Sequence, residues 1–227
     1  MTVVSERSVV RCRYEDNLDI YSALGCGFQT GAGTILNALK PGPGDAVAIL
    51  GLGSVGMAAI MAAQSIGVQT IVAVDIAQAK VDLAKELGAT HGINPTTVSD
   101  FAAEVFNVTG RGVDYLVECT GAVQVLESMM NCLSPRGTAA VVGVCPIGYE
   151  LKLDCMKMLL ESKTIKGVVQ GDSIAQKFIP KMMEMHRSGR FPIQKLCKIY
   201  PVEDFEIALE DIRKGKVVKA IFAWNLP

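Results

Sequence analysis

The chain has 227 residues, half of them apolar and one-fifth charged, with a formal net charge of −1. That length allows one large domain or one domain with appendages, and the composition supports a substantial core and excludes a disordered protein. No Lys/Arg block is longer than two residues, so there is no electrostatic footprint for nucleic acid or an anionic membrane.

Seven cysteines, at 12, 26, 119, 132, 145, 155 and 197, are odd in number, scattered and free of any CxxC pair. The pattern reads as a reduced, cytoplasmic protein without a disulfide framework or a self-contained zinc finger. The opening Met1-Thr-Val-Val-Ser-Glu-Arg7 brings charge too early, and its apolar run is too short, for a signal peptide.

Taken in chain order, residues 1–22 carry charges without a core pattern. From Ala46 to Val74 no residue is charged, which raises the question of a membrane span. Glycines together with Ser54, Gln64, Ser65, Gln69 and Thr70 interrupt the run, and two buried strands flanking a buried helix explain it better. Short, largely apolar runs at Ala46–Leu50, Ile71–Val74, Val113–Val117, Ala139–Val144 and Ile165–Val169, interrupted by charge only at Asp114 and Lys166, predict strands covered on both faces, as in a parallel sheet. Helices are expected between them over Ser54–Ile66, Ala77–Leu87 (with Gly88 as its stop), Thr97–Val108 and Ala122–Leu133, the last ending at the turn signal Ser134-Pro-Arg-Gly137. Alternating β and α segments of this kind give a doubly wound α/β sheet. Beyond Gly171 the pattern changes: a helix near Ile174–Arg187, the stretch Phe191–Pro201, a helix near Val202–Arg213 and a strand near Val217–Ala223 suggest a second structural unit. His91 is expected near a strand and His186 on a helix, both in structural roles.

The most specific local signal is Gly51-Leu-Gly53-Ser-Val-Gly56, where the first strand turns into a helix. Gly51 permits the tight turn, Gly53 lets backbone approach a pyrophosphate, and Gly56 lets helix and strand pack closely. The helix then begins at Ser54 and offers its free N–H groups to phosphates. The second strand ends in Asp75, at the spacing of an acid that accepts hydrogen bonds from an adenosine ribose. A 2′-phosphate beside that carboxylate would be repelled, and Ile76-Ala77 supplies no arginine to offset it. NAD is therefore expected over NADP.

From about Val4 to Trp224 the sequence resembles zinc-type medium-chain alcohol dehydrogenases, with its nearest likeness to the benzyl (aryl) alcohol enzymes. The likeness is carried by Leu24-Gly-Cys-Gly-Phe-Gln-Thr-Gly-Ala-Gly33, the glycine fingerprint with Val74-Asp75, Glu86-Leu-Gly-Ala-Thr-His-Gly-Ile-Asn94, Val117-Glu-Cys-Thr-Gly121, Val141-Val-Gly-Val144 and Ile212-Arg-Lys-Gly-Lys-Val-Val-Lys-Ala220. The resemblance implies that Cys26 is a catalytic-zinc ligand and that Thr30 lines the nicotinamide. By the same likeness Val55 packs under the coenzyme, Lys80 touches the ribose, and backbone groups of Val142, Val168 and Gln170 hold the carboxamide. Lys219 matches a basic pyrophosphate contact, and Ser54, Thr120 and Val144 complete the cofactor-binding set. The implied activity is NAD-dependent oxidation of a primary, aryl or allylic alcohol to an aldehyde, with zinc assisting hydride transfer. A homodimer through the coenzyme domains, joined at the last sheet strand, is also implied.

The family's N-terminal catalytic domain, which carries the other zinc ligands, is not matched. The expected organisation is a Rossmann NAD-binding domain at 28–168, with pieces of a catalytic domain at 1–27 and 169–227. A chain with one zinc-ligand cysteine is expected to bind NAD but to turn over alcohols poorly or not at all, and to represent a fragment of a longer protein. Two alternatives stay open: a short NAD(H)-binding protein without chemistry, and a zinc-free enoyl or quinone reductase using NADPH.

Overall fold

The computed structural model describes residues 3–14 and 16–224; Met1 and Thr2, part of the N-terminal run read above, lie outside them. After short helix α1 (Leu18–Tyr21) comes α2 (Gly27–Gly33), which continues as a π-helical stretch over Thr34–Leu39. Strand β1 (Ala46–Leu50), helix α3 (Ser54–Ser65), β2 (Thr70–Val74), α4 (Gln78–Glu86) and β3 (His91–Ile93) form the first half of the sheet. Then α5 (Phe101–Thr109), β4 (Val113–Glu118), α6 (Val123–Ser128), β5 (Leu133–Val141), α7 (Cys155–Glu161) and β6 (Thr164–Gly167) form the second. All pairings are parallel, in the order β3-β2-β1-β4-β5-β6. This is the doubly wound Rossmann-type architecture expected from the sequence.

The uncharged run from Ala46 to Val74 is β1, α3 and β2. Every residue of β1 is buried, and α3 is buried from Gly56 to Ala63 because the sheet covers one side and α2 the other. A helix enclosed all round has no need of a polar stripe. Among the described residues no helix is long and apolar enough to cross a membrane.

Two boundaries depart from expectation for visible reasons. Helix α5 starts at Phe101 rather than Thr97, because the Asp100 carboxylate caps it, accepting from the Ala102 N–H at 2.8 Å and the Ala103 N–H at 3.3 Å. Ser134-Pro-Arg-Gly137, read as a turn after a long helix, lies inside β5 instead. The pairing jumps there from Val113–Leu133 to Tyr115–Thr138, and Arg136 takes φ 68°, so the turn residues make a bulge rather than an end.

The C-terminal part builds a second, two-stranded parallel sheet from β7 (Cys197–Pro201) and β8 (Lys219–Ala223). Helix α8 (Ala175–Arg187) precedes it and α9 (Phe205–Arg213) connects its strands, so the β-α-β rhythm recurs but in a separate sheet. Helix α8 also anchors the N-terminal segment. Its Arg187 guanidinium lies 4.4 Å above the Tyr14 ring and 2.6 Å from Asp16, while the Tyr21 hydroxyl meets His186 Nδ1 at 3.1 Å. Among the cysteines, Cys132 is buried, but Cys155 is exposed because it opens α7, which buries none of its residues.

Candidate coenzyme-binding site

In the order β3-β2-β1-β4-β5-β6 the strand sequence reverses between β1 and β4. A ligand crevice opens there, beyond the carboxyl ends of the strands. The glycine turn at its floor separates three demands. Gly51 has φ 91°, and a Cβ on it would lie 2.6 Å from Thr120 Cγ2. A Cβ on Gly56 would lie 1.9 Å from the Gly51 carbonyl oxygen, so helix and strand pack here with no room for a side chain. Gly53 differs, since a Cβ there meets nothing within 4 Å. The protein leaves that space open, beside the start of α3, where no side chain caps the helix and the first N–H groups lack intrahelical partners. Those N–H groups and the positive dipole end suit an anion such as a pyrophosphate.

Asp75 directly follows β2, beside this turn. Its Oδ2 accepts from the Leu52 N–H at 2.7 Å and its Oδ1 from the Ala77 N–H at 2.9 Å, with Lys80 Nζ 4.0 Å away. The carboxylate thus fixes the turn as well as facing the crevice. A cavity of about 300 Å³ adjoins it, with Gly51, Asp75, Lys80 and Thr120 on its walls and Pro95 and Phe101 among its apolar lining. Apolar walls suit a planar base and the carboxylate suits ribose hydroxyls. The structure therefore gathers four of the expected cofactor residues around one cavity.

Sequence reasoning assigned no role to Glu118. It ends β4 fully buried, with no basic side chain among its hydrogen-bond partners. Its carboxylate accepts from the Thr120 N–H at 2.6 Å, from the Gly121 N–H at 3.0 Å and from the Thr120 hydroxyl. Thr120 Oγ1 in turn accepts from the Ala122 N–H at 3.0 Å. The loop that walls the cavity is thus wound around a buried carboxylate. The available signal was an acidic residue closing an apolar strand just before Thr-Gly.

The other expected residues lie at or on α2, at the start of α3, on the segments after β5 and β6, and, for Lys219, on β8. Cys26 precedes α2 with an exposed thiol, 3.9 Å from Gln170 Nε2. Thr30 follows one helical turn on, its N–H donating to the Cys26 carbonyl at 2.8 Å. Helix α2 lies directly on the first turn of α3: a Cβ on Gly31 would be 1.9 Å from the Val55 carbonyl oxygen, and one on Gly27 would be 2.6 Å from Ser54 Oγ. That contact brings Cys26, Thr30, Ser54 and Val55 together. The Val142 N–H donates to the Glu118 carbonyl at 2.9 Å, Val168 is buried with its N–H on Val141 O at 3.1 Å, and Val144 is exposed with its carbonyl against Gly121. Lys219 opens β8, its N–H donating to the Leu196 carbonyl at 2.9 Å.

The residues fit a dinucleotide, because open space lies over Gly53 and a carboxylate stands beside the same turn. They do not fit a zinc ion by themselves. Among the described residues no group of three His, Cys, Asp or Glu side chains is placed to hold a metal, and a catalytic zinc takes about three protein ligands.

The sheet and its crevice define a Rossmann-type α/β protein. A family profile described as zinc-binding dehydrogenase matches residues 54–187, and the chain belongs to that family. Geraniol dehydrogenase from Castellaniella defragrans is 33% identical over 222 residues, which cover 98% of this chain and 60% of that enzyme. The structure of an alcohol dehydrogenase zinc-binding domain protein from Burkholderia ambifaria is 42% identical with a TM-score of 0.92, covering 98% of this chain and 59% of that one. Benzyl alcohol dehydrogenase from Acinetobacter calcoaceticus is 38% identical with a TM-score of 0.92, covering 96% and 60%. The chain spans about three-fifths of the length of these relatives, and the likeness covers the coenzyme-binding part of an alcohol dehydrogenase.

Proposed function

We propose that the chain binds NAD(H) in the crevice between β1 and β4 and is the coenzyme-binding part of an NAD-dependent oxidoreductase that converts a primary, aryl or allylic alcohol to its aldehyde. The observation that carries the binding reading is the pairing of open space over Gly53 with the Asp75 carboxylate held at the end of β2. In this reading the start of α3 at Ser54 and Val55 receives the pyrophosphate, and Asp75 with Lys80 takes the adenosine ribose. Thr120 walls the adenosine, while Thr30, Val142, Val144, Val168 and Gln170 surround the nicotinamide. The bound nicotinamide supplies two-electron redox chemistry. The substrate class rests on the names of the relatives, which act on geraniol and benzyl alcohol.

Asp75 selects against NADP, because a 2′-phosphate about 4 Å from its carboxylate is repelled by roughly 1 to 4 kcal/mol. Lys80 is already drawn to that carboxylate. Titration calorimetry tests the assignment: NADH should bind at least about tenfold more tightly than NADPH. A preference for NADPH would favour a zinc-free reductase instead.

Cys26 is a candidate zinc ligand, but one thiol does not hold the ion, which takes about three protein ligands. The purified chain should therefore bind NADH without oxidising benzyl alcohol or geraniol; sustained zinc-dependent turnover would contradict this. The reading includes a homodimer formed along β6, an edge strand that pairs only with β5. Light scattering that returns a monomer would remove it.

A further inference from the structure

The three residues Gln170, Gly171 and Asp172, shortly after β6, all adopt left-handed backbone, with φ of 51°, 65° and 47°. Two of them are not glycine, and such a run persists only where surrounding structure dictates it. The dictating structure is one face of α2 and its π-helical continuation, on which Gln29, Gly33 and Asn37 recur every fourth residue. Gln29 Nε2 donates to Gln170 Oε1 at 3.1 Å, and Asn37 Nδ2 donates to the Gly171 carbonyl at 3.1 Å. Between them the backbones touch: a Cβ on Gly33 would lie 2.5 Å from the Gly171 oxygen.

Gln29 is 3% exposed, and its Oε1 has no hydrogen-bond partner among the described residues. Packing alone would favour an apolar side chain at such a position, since a buried amide satisfied on one side is a cost. Its useful feature is the donor to Gln170. The turn it holds stands at the carboxyl end of β6, in the β4-β5-β6 half of the sheet, opposite the half that ends in Asp75. A doubly wound fold of two such halves takes one mononucleotide on each. The Gln170 side chain also reaches to within 3.9 Å of Cys26 Sγ, so the turn borders the α2 side of the crevice.

We infer that Gln29, assisted by Asn37, is a positioning residue for the nicotinamide half of the coenzyme, holding residues 170–172 in the left-handed shape on which that half docks. The inference rests on the NAD(H) reading above. It predicts a split between two ligands that share the adenosine, pyrophosphate and second ribose but differ in the nicotinamide ring.

The test is to titrate NADH and ADP-ribose into the parent chain, Gln29→Met and Asn37→Ala, with thermal unfolding of each. Gln29→Met keeps the volume and removes the orphaned acceptor, so its Tm should hold or rise. Its Kd for NADH should increase about three- to tenfold, the loss of one hydrogen bond's contribution, while its Kd for ADP-ribose stays within about twofold. Asn37→Ala acts on the same turn through a separate contact and should show the same split; it carries the comparison if Gln29→Met does not fold. Equal losses for both ligands, or no loss for either in folded variants, would overturn the inference while leaving the coenzyme reading intact. A parent chain that binds neither ligand would overturn both.

Discussion

The Asp75 carboxylate accepts the Leu52 N–H at 2.7 Å, tying the end of β2 to the glycine turn that follows β1. One oxygen thus braces the glycine turn, while the group as a whole places negative charge at the wall of the crevice. Asp75→Asn keeps the size and removes the charge. It should narrow the NADH-over-NADPH preference by about tenfold or more, as expected for about 1.4 kcal/mol or more of lost repulsion. Paired titrations with the two coenzymes check this, and an unchanged ratio would remove Asp75 from coenzyme selection.

Glu118 offers a contrasting case, a buried carboxylate with no direct line to solvent. Glu118→Ala leaves the Thr120 and Gly121 N–H groups without their acceptor. Gly121 is buried and Thr120 is not, so the Gly121 N–H carries the full penalty of a buried unsatisfied group and the folded state should lose roughly 1–3 kcal/mol. Urea unfolding measures it, and a loss under about 0.5 kcal/mol, the size of an ordinary surface substitution, would mean the loop does not depend on this carboxylate.

What could be read in the sequence follows from how local each signal was. The turn Gly51 to Gly56, Asp75 and the apolar runs of β1 and β2 are short-range patterns, and the structure places them as expected, whereas β6, read as a strand covered on both faces, has no buried residue. The nonlocal partners were not legible. Nothing near Gln29 in the chain points to Gln170, with which it pairs, and Ser134-Pro-Arg-Gly137 carries every mark of a turn until its neighbour β4 absorbs it as a bulge. Glu118 was visible as a residue but not as a hub, because its donors are backbone N–H groups that sequence does not position. Lys219 was assigned by likeness alone, and its place at the start of β8 could not be read from local pattern.

Acid should weaken the C-terminal unit through Asp211. Its carboxyl is held down to about 2, first by the Tyr200 hydroxyl at 2.8 Å and then by Lys198 at 3.2 Å, with Lys216 at 3.3 Å. A carboxyl lowered on folding contributes stability that is fully present above its ordinary value near 4 and is lost as pH falls through about 2. Unfolding followed from pH 5 to pH 2 should therefore show an acid limb that Asp211→Asn flattens. An identical limb in the variant would assign the acid sensitivity to other groups.

The central claim, that the crevice between β1 and β4 holds a dinucleotide against the glycine turn, is tested most directly by NADH titration of Gly53→Ala beside the parent chain. A Cβ at Gly53 meets no protein atom within 4 Å, and the backbone there, φ −78° and ψ −166°, suits any residue. Stability should therefore stay within about 0.5 kcal/mol of the parent. The parent should bind NADH at one site per chain, and the added methyl, standing where the pyrophosphate must approach, should weaken that binding by about tenfold or more. NADH bound equally well by both chains, or by neither, would contradict the account.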